Sequence, residues 1–144
     1  LDTTREPEAL PPAVFQERLQ QHLEGRLGSS IMLDIRNDYE LDVGRFPGSL
    51  PIRARTYREF MSEVKALEGK FDKNETEVLM CCTGGIRCSK AGLVMRNWGW
   101  SRVAMLQGGI TNYANQLKRD GIRPLFQGIN YTFDGRAGEP VLNT

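Results

Sequence analysis

Three cysteines, Cys81, Cys82 and Cys88, lie in one short stretch of the chain. An odd number gathered at one locus is not a disulfide framework, in which paired cysteines spread along the sequence. It points instead to thiol chemistry in an intracellular, reducing compartment: the cytoplasm, or an organelle stroma or matrix. The surrounding run is Cys82-Thr83-Gly84-Gly85-Ile86-Arg87-Cys88, placed between an apolar strand-like segment and a helical one. A sharp turn from strand into helix aims successive backbone N–H groups at one centre, and two glycines permit the φ values this needs. The helix dipole and Arg87 add positive charge to the same bowl. A thiol held there has its pKa drawn below the ordinary ~8.5, so it is a thiolate near neutral pH without help from imidazole.

Imidazole is scarce in any case. The single histidine, His22, lies far upstream in the polar helical stretch QERLQQHLEG and reads as solvated surface. With no C-x2-C pair and one distant histidine, zinc is a poor reading, and neither a metal nor a cofactor is expected. The candidate nucleophile is a thiol at the end of the strand, Cys81 or Cys82, which strand alternation turns to opposite faces. Cys88, at the helix start, reads equally as a resolving thiol or as a buried helix residue.

The elements that must position this loop alternate between helical and strand patterns. Pro11-Pro12 opens a helix with Val14, Phe15, Leu19, Leu23 and Leu27 on one face, stopped by Gly25 and Gly28. Residues 30–35 read as a short buried strand, and Asn37-x-x-Glu40 as a capping box. Residues 44–52 form a Gly/Pro-rich loop with apolar anchors. Thr56-x-x-Glu59 caps a helix bearing Tyr57, Phe60, Met61, Val64 and Leu67. A buried strand at 77–82, a helix over 88–98, a strand at 102–106 and a helix closed by Asp120-Gly121 follow. In the last part of the chain, 129–134 suits a final edge strand. Strands separated by helices imply parallel pairing, so the expected fold is α/β, a three-layer sandwich with a central parallel sheet and helices on both faces. The expectation is a single domain over 1–144, with its core at about 10–120 and an irregular tail at 121–144, either standing alone or cut from a longer protein.

Composition agrees with a globular domain: 40% hydrophobic and 26% charged residues exclude a disordered chain, a collagen and a disulfide scaffold. No apolar run approaches the ~18 residues that span a bilayer, so no membrane partner is expected. The opening LDTTREPEALPP is too polar for a signal peptide. Nineteen basic residues against eighteen acidic give +1, which argues neither for nor against nucleic acid. Fourteen of the basic residues are arginines, the better choice for fixing planar or tetrahedral anions. Arg53, Arg55 and Arg58 surround Tyr57, a grouping that suits RNA phosphate and base, although a solvated helix entrance is the slightly better reading of these residues alone. Asp34 and Arg36 end a neighbouring strand, where open parallel sheets place their sites. A structural salt bridge is the favoured reading of Asp34.

The runs CCTGGIRCSKAGLVMRNWGW, LDIRNDYELDVGRFPGSLPI and LQGGITNYANQL together resemble the rhodanese family. More narrowly, CTGGIRC with DIRNDYE, GRFPG and the tail motif Tyr131-Thr132-Phe133-Asp134-Gly135-Arg136 is similar to the rhodanese module of the tRNA uridine hydroxylase family. The resemblance implies a catalytic cysteine at Cys82 that takes sulfane sulfur as a persulfide and passes it to a thiophilic acceptor. It implies that the amides of Thr83, Gly84, Gly85, Ile86 and Arg87 cradle that sulfur, which leaves Cys81 as a small core residue, that Arg87 stabilises an anionic donor, and that Asp34 and Arg36 brace the loop. Spacing agrees: Cys82 to Arg87 is the short C-x4-R loop of rhodaneses, whereas Cys81 to Arg87 is the C-x5-R of cysteine phosphatases and arsenate reductases. The expected function is sulfur transfer on Cys82. Its alternatives are tRNA wobble-uridine hydroxylation, with tRNA as partner, and a non-catalytic domain that binds or regulates a partner.

Overall fold

The computed structural model describes residues 1–36 and 44–128. The strands are β1 (Glu8–Leu10), β2 (Ser30–Asp34), β3 (Gly44–Arg45), β4 (Leu50–Pro51), β5 (Glu77–Cys81), β6 (Arg102–Leu106) and β7 (Gln127–Gly128). The helices are α1 (Pro12–Leu23), α2 (Tyr57–Glu68), α3 (Ile86–Asn97) and α4 (Gly109–Asp120). Five strands form one parallel sheet in the order β1-β6-β5-β2-β4, and β3 pairs antiparallel with β7 beside it. The α/β three-layer sandwich expected from the alternating pattern is the observed architecture.

Strand alternation sorts the core into two layers. Ile31, Leu33, Val78, Met80, Val103 and Met105 face one side, where Phe60 and Val64 of α2 and Ala91, Val94 and Met95 of α3 cover them. Met32, Leu79, Cys81, Ala104 and Leu106 face the other, under Phe15 and Leu19 of α1 and Tyr113, Ala114 and Leu117 of α4. Phe46 anchors the Gly/Pro-rich loop in this second layer, edge-on to both Tyr113 and Phe126 at ring separations of 5.0 and 5.1 Å.

The sheet order also locates a site. From β2 the chain goes outward to β4 and then returns on the other side of β2 as β5, continuing outward to β6. The direction of winding therefore reverses between β2 and β5, and in open parallel sheets ligands bind beyond the carboxyl ends at such a reversal. Asp34 ends β2, and Cys82 follows the last residue of β5.

Several expectations need correction. The first helix stops at Leu23, and Val14 and Leu23 are exposed, so its buried face is narrower than the sequence spacing predicts. Leu27 lies beyond the helix. Its neighbour His22 is half-buried, with Nδ1 2.6 Å from Ser30 Oγ, and burial lowers its pKa. The helix after the cysteine loop begins at Ile86, two residues earlier than the apolar spacing indicates. The core runs past 120, since Phe126 is buried and β7 pairs with β3. β1, an edge strand whose Leu10 alone is buried, gives no periodic signal. The Asn37-x-x-Glu40 capping box, the strand at 129–134 and the motif at 131–136 lie outside the described residues.

Candidate functional site

Cys82 leaves β5 and is followed by Thr83, Gly84 and Gly85 before α3 begins at Ile86. Gly85 caps α3 with φ 91°, a left-handed conformation that disfavours any side chain. That turn brings the Gly85 N–H to 3.0 Å from Cys82 Sγ. The Cys88 thiol and the amides of Cys88, Gly85 and Arg87 also donate to this sulfur, and together they outweigh burial and hold the Cys82 pKa at about 6. Hydrogen bonds to the charged form stabilise the thiolate, so Cys82 favours its ionised form near neutral pH. Of the five cradle residues expected, Gly85 and Arg87 thus supply amides to the sulfur. Gly84 and Ile86 are exposed, and Thr83 holds the loop through its carbonyl.

The other two cysteines are driven the opposite way. Burial pushes the Cys81 thiol up, with Asp34 adding to the effect. Burial also pushes Cys88 up, and its bond to Cys82 reinforces the shift, because Cys88 must keep its proton to donate it. Cys81 packs in the α1/α4 layer, whereas Cys82 and Cys88 share the α2/α3 layer. All three are free and buried.

A second clamp on the loop comes from the start of α4. The Ile110 N–H donates to the Cys82 carbonyl at 3.0 Å, and the Thr111 N–H to the Thr83 carbonyl at 3.4 Å. The helix thereby satisfies two of its own terminal donors and fixes the loop backbone. This approach needs Gly109, since a Cβ there would sit 2.1 Å from the Thr83 carbonyl oxygen. The Gly108-Gly109 pair reads in sequence only as a turn; two consecutive glycines at a helix start were the available signal for a close backbone approach.

Asp34 pairs in register with Cys81. Arg36 grips both of its oxygens, Nε to Oδ1 at 2.8 Å and a terminal nitrogen to Oδ2 at 2.7 Å. The same guanidinium donates to the Gly44 carbonyl at 2.6 Å and lies 5.6 Å from the centre of the Phe126 ring. The pair therefore ties β2 to the β3 region, and it reaches the base of the cysteine loop through Cys81.

On the Cys82 side of the sheet, α2 and α3 flank a cavity of about 440 Å³. Its floor is apolar, from Ile35, Ile52, Phe60, Ala91 and Val94, and its walls carry Arg36, Arg55, Arg87 and Lys90 with Tyr57 and Thr56. Among the described residues, no carboxylate lines it. Of the three arginines singled out as RNA contacts, Arg55 lines this cavity, and Arg53 and Arg58 are exposed outside its lining. Lys90, three residues after Arg87 on α3, is a lining cation that sequence reading missed, although helical i,i+3 spacing from Arg87 was the signal.

The Rhodanese-like domain family matches residues 15–116. This chain belongs to that family. Among curated proteins, the rhodanese domain is 39% identical over 112 residues to a tRNA uridine(34) hydroxylase of Enterobacter sp. (strain 638), a match covering 78% of this chain and 32% of that protein. It is 37% identical over 127 residues to a tRNA uridine(34) hydroxylase of Leptospira interrogans, covering 88% of this chain and 34% of that one. The chain thus spans about a third of the length of the curated relatives it matches. Among solved structures, the rhodanese-like domain of an Anabaena protein superposes with a TM-score of 0.57 at 18% identity, over 94% of this chain and 92% of the other. An As-Sb reductase of Leishmania major gives a TM-score of 0.55 at 17% identity, over 83% and 84% of the two chains. At such identities the likeness is one of fold.

Proposed function

We propose that this rhodanese domain is the catalytic module of a tRNA uridine(34) hydroxylase, with Cys82 as its working thiolate. The expectation of sulfur transfer as the main activity gives way here, because the 37–39% identical relatives carry the hydroxylase name. The observation that carries the reading is physical. A thiolate held at a pKa of about 6 lies on the same side of the sheet as a cation-walled cavity with an aromatic rim. Such a cavity suits a phosphate-bearing planar ring better than a small inorganic donor. Conversion of uridine to 5-hydroxyuridine replaces C5–H by C5–OH, a two-electron oxidation that requires an oxygen donor from outside the chain. The chain's own share is the nucleophile and the cations that hold RNA. A tRNA substrate and a working thiolate both fit an intracellular, reducing setting.

The test is expression of the full-length protein, wild type or Cys82→Ser, in a host lacking its own wobble-uridine hydroxylase. Mass spectrometry of tRNA nucleosides should find 5-hydroxyuridine with the wild type and none with Cys82→Ser, since a hydroxyl of ordinary pKa is a weak nucleophile without a base. Hydroxylation that survives Cys82→Ser overturns the assignment.

Sulfur transfer remains the second reading, favoured by the bowl of donors around a single sulfur and by the short Cys82–Arg87 loop. In it the thiolate attacks the outer sulfur of thiosulfate and sulfite leaves, and a thiophilic acceptor then takes the sulfur. One added sulfur on Cys82 in donor-treated protein, with unmodified tRNA, selects it.

A further inference from the structure

We propose that the cavity between α2 and α3 receives one pyrimidine nucleotide of an RNA strand. Its ring lies on the apolar floor against Tyr57, and its phosphate is held by Arg55 and Lys90. The inference rests on the RNA reading above and deepens it by naming the residues that select the ligand.

Size is the first argument. Small-ligand sites run from ~300 to ~1,000 Å³, and a cavity of about 440 Å³ falls in the range that holds one nucleotide. Charge is the second. Arg36 is spent on Asp34, but Arg55, Arg87 and Lys90 also line the cavity, and among the described residues no carboxylate does, so the lining favours an anionic ligand. Neither Arg55 nor Lys90 forms a salt bridge among the described residues, which leaves both heads available to a phosphate. Shape is the third. Tyr57 is 53% exposed, yet its ring is braced edge-on by Trp98 at 6.3 Å and 71°, so a large aromatic surface is held out toward solvent at a fixed angle. An exposed ring with no ligand gains little from being so braced, whereas a stacking platform gains rigidity.

The backbone around these side chains is fixed as well. Thr56 Oγ1 accepts from the Glu59 N–H at 3.1 Å and caps α2, while the Glu59 carboxylate reaches back to the Arg55 N–H at 2.7 Å. The sequence pattern predicts a capping box closed on Thr56. The structure shifts its second bond by one residue, and that shift pins Arg55 beside Tyr57. Glu59 is brought close to Arg55 by this arrangement, and because it is bound to a backbone amide its charge is partly offset.

Two measurements on the same protein test the proposal. The first titrates uridine 5′-monophosphate, uridine and inorganic phosphate into 15N-labelled protein and follows amide shifts. The monophosphate should move Arg55, Tyr57, Lys90 and Ala91 in a saturable way, and uridine or phosphate alone should bind at least tenfold more weakly. The second measures binding of a tRNA anticodon stem-loop to Tyr57→Ala, Lys90→Ala and Lys118→Ala variants of the full-length protein, Lys118 being exposed on α4 across the sheet. Tyr57→Ala and Lys90→Ala should each weaken binding roughly fivefold or more, while Tyr57→Phe keeps it and Lys118→Ala changes it less than twofold. Shifts on the cavity residues with no hydroxylation of tRNA support the pocket and overturn the hydroxylase reading. Hydroxylation and stem-loop binding that ignore Tyr57→Ala and Lys90→Ala overturn the pocket and leave that reading standing. Saturable shifts elsewhere on the surface also overturn it.

Discussion

Replacing Cys88 by alanine should change the acidity of Cys82 without touching Cys82 itself. The Cys88 side chain is the largest single influence holding the Cys82 pKa at about 6. A hydrogen bond to a charged group contributes about 1.5–3 kcal/mol, and a thiol is a weak donor, so the lower figure applies. That is about one pKa unit, which moves Cys82 from about 6 to about 7. The sign follows directly. Removing a donor disfavours the thiolate, so reactivity at low pH falls. A more basic thiolate is also intrinsically more nucleophilic, by about threefold per unit. The two effects cross: exchange with a small aromatic disulfide should run at about half the wild-type rate at pH 6 and about threefold faster at pH 8. Stopped-flow exchange between pH 5 and 9 measures both arms. Cys88→Ser restores an O–H donor and should return the midpoint to about 6 or below. If all three profiles superimpose, Cys88 does not tune Cys82 and the assigned hydrogen bond is wrong.

Three further outcomes follow from the same geometry. Gly109→Ala should cost about 3 kcal/mol or more in urea unfolding, because its Cβ would lie 2.1 Å from the Thr83 carbonyl oxygen at a φ of +72°. Gly84→Ala, whose Cβ meets nothing within 4 Å, should change stability by less than about 0.5 kcal/mol. Arg36→Ala leaves the Asp34 carboxylate buried without its bidentate partner and should cost about 3–5 kcal/mol by the same unfolding measurement, with part of the loss recovered in the Asp34→Ala/Arg36→Ala double variant.

Much of the fold is legible because the central strands alternate strictly. Ile31, Leu33, Val78 and Met80 against Met32, Leu79 and Cys81 divide into two faces with no exception, and glycines or prolines punctuate each helix. β1 is illegible for the opposite reason. Two of its three residues are exposed, and it exists through backbone pairing with Ala104, Met105 and Leu106, a contact that has no side-chain signature. The candidate nucleophile is legible because Cys, Gly-Gly, Arg and a helix coincide within a few residues. What holds the loop down is not, because the Gly108-Gly109 clamp comes from a segment distant in sequence. The cavity is only half legible: Arg55 belongs to a recognisable cluster, but Lys90 becomes a wall residue only when α3 is packed across from α2.

The three cysteines show how position alone separates reactive from inert thiols. Cys81 and Cys82 are adjacent in sequence, and one step of strand alternation sends them to different layers. Cys81 meets buried surface and the Asp34 charge, which penalise a thiolate more than the nearby Arg36 charge favours one. Cys82 meets three amides and a thiol, all of which reward one. Cys88 shares the Cys82 layer and sits in the first turn of α3, where its thiol and its amide both donate to the charge on Cys82. A single proton is therefore distributed between Cys82 and Cys88 in one sense only, with Cys88 keeping it.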